Sequence, residues 1–255
     1  MRKKDQMSSA IQNPGEELAE ELRQQSEQDA SMTPMDSLLE QAQKQGFTED
    51  HYFRLLGRLW TVKRMMYYVY GGWAMGINLN EYPPTVAYLF GKQICDESAH
   101  EMQYIDEILR RKWVRTQRKA FEHPYCQFAA ATRVASFIFS LRALANYSQN
   151  IRIAALNLGP KVMELAWMTR FAHSLPDEAI RAIFASQLAE SRSHILMGRL
   201  QVERFIKKEV DARLSQRLCA EARRDYLFLL EEIARFVLGM KEEEKGEVVI
   251  SADID

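Results

Sequence analysis

The chain reads as an all-α protein, an antiparallel bundle of about six helices, on three observations. After Pro34 the prolines are Pro83, Pro84, Pro124, Pro160 and Pro176, and each opening opens a long helix-compatible run. Proline is welcome only in the first turn of a helix, so these residues mark starts rather than breaks. Within the runs, apolar residues recur at three- and four-residue steps, the period of a helix with one buried face. Alternation of period two is confined to the last residues, which leaves no case for a sheet.

In chain order, residues 1–46 are rich in Gln, Glu and Ser and poor in aromatics, a composition that does not order itself alone. This segment is expected to be partly disordered, with short helices at Glu16–Gln28 and Met35–Gln45 lying on the bundle or on a partner and adding little to the core. The bundle is expected over 47–240, with helices at about 48–76, 84–113, 124–157, 160–174, 176–208 and 210–240. Thr48, followed by Glu49 and Asp50, makes a first N-cap, and Pro176-Asp177-Glu178 puts acid at another helix start. From Lys241 the chain is an acidic tail, in which Glu247-Val248-Val249-Ile250 is able to dock as a short extended piece.

Composition bounds the function. A chain of 255 residues with 47% apolar content supports one sizeable core, and a formal net charge of −1 with both signs interspersed offers no basic face for nucleic acid. Three separated cysteines, Cys95, Cys126 and Cys219, suit a reducing compartment and form no Cys-x-x-Cys pair. The longest uncharged stretch, Met65–Asn80, is too short and too glycine-rich to span a bilayer comfortably, and the first residues carry no apolar leader. The expectation is a cytoplasmic protein with no membrane and no nucleic-acid partner.

One stretch carries chemistry. Glu97 and His100 stand three apart within Cys95–Glu101, so they share a helix face, and the nearby stripe of Val86, Leu89, Phe90, Ile94, Met102, Ile105 and Leu109 turns that face inward. A buried carboxylate and imidazole need partners, and a metal ion serves both at once. Glu-x-x-His projecting into a bundle is the half-site of the di-iron carboxylate proteins. The helix after Pro176 offers Glu190 and His194, four apart on one face, with Ser191 three before the histidine. Counting back through the turn before that helix reaches Glu164 as the facing carboxylate. The corresponding position on the first long helix holds Met66, Tyr67 and Tyr68, and the nearest inward polar group is Lys63, whose ammonium is able to take a metal's place beside Glu97.

These residues carry a resemblance. The stretch Gln93–His100 followed by Tyr104, the stretch Leu188–His194 with Glu203-Arg204 downstream, and Met168-Thr169-Arg170-Phe171 resemble the ferritin-like A and C subunits of phenylacetyl-CoA epoxidase, over roughly Tyr52–Phe205. The resemblance implies a ferritin-like bundle with Glu97 and His100 as iron ligands and His194 as a further one. The chain departs from that family in having no carboxylate near Tyr67 and Ser191 where a glutamate belongs. Two functions follow. One is a non-haem iron oxygenase, with iron on Glu97, His100, His194, Glu164 and Glu190 activating dioxygen toward a small organic, aromatic or CoA-linked, substrate, with Tyr67 and Tyr68 lining the pocket and a reductase as electron donor. The other is a non-catalytic subunit whose centre is a salt-bridge network around Lys63, Glu97 and Glu190, in a homo- or hetero-oligomer with a catalytic paralogue.

Overall fold

The computed structural model describes residues 14–74, 83–128 and 131–240, and within them every regular element is helical. The helices are α1 (Pro14–Asp29), α2 (Pro34–Gln45), α3 (Glu49–Ala74), α4 (Pro84–Arg110), α5 (Gln117–Glu122), α6 (Thr132–Ala143), α7 (Gln149–Asn157), α8 (Pro160–Ser174), α9 (Glu178–Phe205) and α10 (Glu209–Val237). The expected all-α class is met with ten α-helices among the described residues. The turn expected near Asn78, residues 1–13 and the acidic tail from Lys241 lie outside the described residues.

The starts form where the sequence chemistry places them. Pro34, Pro84 and Pro160 each occupy the first turn of a helix. Thr48 Oγ1 receives the His51 N–H at 3.4 Å, and Asp177 receives the Ile180 N–H at 3.0 Å, so both expected caps are made. Helix α4 ends three residues earlier than expected. The Trp113 N–H donates to the Ile108 carbonyl and the Lys112 N–H to that of Leu109, which is the Schellman closure, and Lys112 holds the left-handed φ of 58° that glycine usually takes there.

The long helix expected over 124–157 is broken. Pro124–Cys126 is a single 3-10 turn ahead of α6, and Leu144–Asn146 is another that separates α6 from α7. Arg152 holds the second break: its guanidinium donates to the carbonyls of Tyr147 at 2.6 Å and Ala145 at 2.8 Å, which a continuous helix would have bonded internally, and to that of Trp73 at the end of α3 at 3.0 Å. A pattern of apolar residues at helical spacing cannot reveal such a break, because α6 and α7 both keep that spacing.

At the centre, α3, α4, α8 and α9 pack around one core. Arg111 reaches Glu49, Lys63 reaches Glu97 and Gln93 reaches Tyr70, so α3 and α4 run antiparallel. Asp96 pairs with His194 and Gln103 with Gln187, so α4 and α9 do too. Tyr70, Trp73, Phe90, Tyr104, Trp167, Phe171 and Phe184 fill the layers above and below the middle.

The N-terminal segment corrects an expectation. Leu18, Leu22, Met35, Leu38 and Ala42 are buried, with Leu18 and Leu22 packed against Val202, Ile206 and Leu158. A Cβ at Gly15 would stand 2.6 Å from the Val202 carbonyl oxygen, so α1 lies in tight contact with α9. The apolar residues are few here, but they fall on one face of each helix, and that face finds a groove to fill. Leu22→Ala is expected to cost about 2–5 kcal/mol, as for other fully buried leucines, read as a lower midpoint in urea unfolding.

Candidate functional site

The candidate site is built from three helices. Helix α3 contributes Lys63, α4 contributes Glu97, and α8 contributes Lys161 from its first turn and Glu164 one turn on. Lys63 Nζ donates to Glu97 Oε2 and to Glu164 Oε1, at 2.7 Å each. Lys161 Nζ donates to the remaining oxygens, Glu97 Oε1 and Glu164 Oε2. The four side chains close a ring of alternating sign in which each carboxylate oxygen receives one ammonium proton.

Burial alone would neutralise these groups, and their mutual attraction reverses that. Burial pushes the Glu97 carboxyl up, but Lys161 and Lys63 outweigh it and hold it well below the usual range. Glu164 is brought to about 2 by the same balance. For Lys63, burial is outweighed by Glu164 and Glu97, and for Lys161 by the same two carboxylates, so both ammoniums titrate above their ordinary range. The ring is therefore fully charged and formally neutral.

Two histidines flank it. His100 Nδ1 stands 4.0 Å from Glu97 Oε2, and His194 Nδ1 stands 3.6 Å from Glu97 Oε1. His194 Nε2 meets Asp96 Oδ2 at 3.1 Å, and Asp96 is also held by Lys92 at 2.6 Å. Both ring nitrogens of His100 and Nδ1 of His194 are buried without hydrogen-bond partners. Burial, with Lys63 adding its charge, lowers His100 to about 3, and burial lowers His194 against the pull of Glu97. Both imidazoles are neutral at pH 7.

Of the residues singled out in the sequence, the structure brings Lys63, Glu97, His100, Glu164 and His194 to one place. Glu190 lies outside the ring, half-buried, with Oε2 unpartnered; the carboxylate opposite Glu97 is Glu164. Tyr68 is exposed, and Tyr67 is at the surface with its hydroxyl toward Ser98 and Glu101, so neither tyrosine lines the centre. The buried tyrosines nearby are Tyr70, Tyr104 and Tyr226, with Tyr104 donating to Gln187 Oε1 at 2.9 Å. Sequence reading missed Lys161. Its signal was a cation in the first turn of a helix, where the dipole disfavours positive charge and a compensating carboxylate is required.

A divalent metal was implied by the resemblance, and the donors present do not fit one. Every oxygen of Glu97 and Glu164 already accepts from an ammonium, and a cation between them would stand against two positive charges. Among the described residues, no group of three or more His, Cys, Asp or Glu side chains is placed to hold a metal ion. The cavity bordering the ring, lined by Val62, Met66, Phe137, Leu156, Pro160 and Tyr226 beside the four charges, measures about 20 Å³, the room of a single water. No protein-family model, curated protein or solved structure matches the chain.

Removing one member of the ring unpairs two others. Lys161→Met is expected to cost about 3–5 kcal/mol and to lower the melting temperature by roughly 10 °C, while Lys161→Met with Glu164→Leu recovers much of that loss. Thermal melting of the single and double variants checks both statements.

The histidines set the acid limb of stability. Unfolded histidine titrates near 6.5, above the folded values of His100 and His194, so the unfolded chain binds more protons between those limits. For His100 this stability is full above about pH 6.5 and falls as the pH drops toward 3, by up to about 1.4 kcal/mol per pH unit, and His194 acts in the same direction. The ring carboxylates act lower, their contribution being present above about pH 4.3 and lost toward 2. His100→Leu should flatten the slope between pH 6.5 and 4.5 in urea unfolding at stepped pH, leaving the fall below pH 4 in place.

Proposed function

We propose that this chain is a non-catalytic, ferritin-like subunit of a multicomponent oxygenase, in which a degenerate metal centre has become a structural ion-pair ring and the catalytic metal belongs to a paralogous partner. The observation that carries this reading is the arrangement of Lys63 and Lys161, which together bind all four oxygens of Glu97 and Glu164 at the bundle centre. The small cavity supports it, since a CoA-linked or aromatic substrate has no room beside the ring.

The oxygenase reading keeps one observation in its favour. His100 offers two buried, unpartnered ring nitrogens next to Glu97, and neutral imidazole is an iron ligand. The two readings part on iron. After expression with added iron, the purified chain should carry iron far below stoichiometry, show no dioxygen-dependent optical change, and melt at the same temperature with and without chelator. About two iron ions per chain, as in the di-iron bundles, with chelator-sensitive melting, would overturn the proposal.

A further inference from the structure

Helix α4 packs against α3 on one side and α9 on another, and its remaining face is open to solvent. Along that face Tyr88, Lys92, Cys95, Ala99, Met102 and Asp106 are all exposed and follow at steps of four, three, four, three and four. This is the heptad spacing with which one helix packs lengthwise on another. Tyr88 is 70% exposed and Met102 61%, so two large apolar side chains of the row stand in water.

The row is ordered by charge. Lys92 stands seven residues before Ala99 and Asp106 seven after it, with the uncharged Cys95, Ala99 and Met102 between them. A second α4 laid antiparallel, with a two-fold axis through Ala99, brings Lys92 against the partner's Asp106 and Asp106 against the partner's Lys92. The same axis sets the Tyr88 ring against the guanidinium of the partner's Arg110. A parallel pair would put lysine on lysine and aspartate on aspartate, which is unfavourable. Both charges are accessible: Asp106 is exposed and enters no ion pair among the described residues, and Lys92 holds Asp96 from the surface at 2.6 Å. Ala99 and Cys95 are small, which lets the two backbones approach closely at the axis.

We propose that the outer face of α4 is a homodimer interface, antiparallel and two-fold about Ala99, so that its occupant is a second copy of this chain. Self-complementarity selects the copy, because the order of charge along the row becomes its own complement on reversal, a symmetry that an unrelated partner does not require. From Tyr88 to Arg110 the row runs about 33 Å, and a strip of that length two helix diameters wide buries roughly 1,400 Å² over both copies, within the range of stable interfaces.

Sedimentation of the full chain tests this, with thiol cross-linking to read the register. The chain is expected to be a dimer at about 100 μM and to dissociate on dilution with a constant in the micromolar range. Asp106→Lys should raise that constant about tenfold, since the two-fold axis makes the repulsive contact twice, and adding Lys92→Glu should restore it by reversing the pair. Cys126 and Cys219 are buried, which leaves Cys95 as the exposed thiol. In the antiparallel dimer the two Cys95 residues lie eight positions apart along the helix, about 12 Å, too far for a disulfide. Under mild oxidation the wild-type chain should therefore stay unbridged, while Cys95→Ser with Ala99→Cys should form a disulfide-linked dimer. A chain that is monomeric at every concentration would overturn the proposal. So would a Cys95 disulfide between wild-type copies, or a dissociation constant that Asp106→Lys leaves unchanged or that Lys92→Glu does not restore.

Discussion

The ring of Lys63, Glu97, Lys161 and Glu164 is the constraint on which the centre of this bundle depends. Moving four charges out of water costs several kcal/mol each, and attraction offsets that only when every lone pair and proton direction is met. Here each of the four carboxylate oxygens accepts one ammonium proton and each lysine reaches both carboxylates, so charge is balanced in the set and unbalanced when any member is removed. That completeness fixes registry. Sliding α3 or α8 by one turn, about 5.4 Å, would strand all four charges in an apolar interior. Apolar layers alone would tolerate such a slip far better.

The ring is the middle of a longer polar seam. On α4 the buried positions Gln93, Glu97, His100, Tyr104 and Glu107 follow at steps of four and three, and on α9 so do Gln187, Ser191, His194 and Gln201 with Gly198 between them. Their partners cross between helices. Gln93 and Asn157 exchange amide hydrogen bonds at 3.0 and 3.1 Å, and Gln187 links Tyr104 to Gln103. Each is a neutral version of the same device, a polar group buried because the facing helix supplies its complement. His100, His194 and Gln201 are exceptions, with buried side-chain polar atoms unmet, and the two neutral histidines make the seam sensitive to acid before its carboxylates titrate.

Much of this was legible in the residues. Proline positions and caps placed the long helices, and the spacing of Glu97 and His100 against an apolar stripe turned them inward. Counting through the turns brought Lys63 and Glu164 to the level of Glu97. What failed did so for physical reasons. Met102 belongs to the apolar stripe by spacing, yet it is 61% exposed, because α4 buries its polar seam and leaves an apolar residue facing water. Glu190 stands four before His194, on the same helix face but one residue more than Glu-x-x-His, and lies outside the ring. The N-terminal helices looked too polar to pack because composition averages over faces, and only the faces with Leu18, Leu22, Met35 and Leu38 matter. Lys161 was overlooked because a lysine near a helix start reads as solvated, when its unfavourable place on the dipole was the clue.

An ammonium and a metal ion satisfy buried carboxylates in different ways, and the difference bears on what the protein does. A divalent ion brings two charges and keeps open positions at which another molecule binds. An ammonium brings one charge and three directed protons, and two of them here exhaust the four carboxylate oxygens of Glu97 and Glu164. The oxygens of the ring are left with no position open to a ligand, only the imidazole nitrogens of His100 and His194 stay unmet, and the adjoining cavity has the room of a single water. Under the proposed reading the bundle acts through its outer faces, on which Tyr68, Tyr88, Met102 and Leu196 are exposed. The ring then serves those faces indirectly, by holding α3 and α4 against α8 in the one registry that presents them.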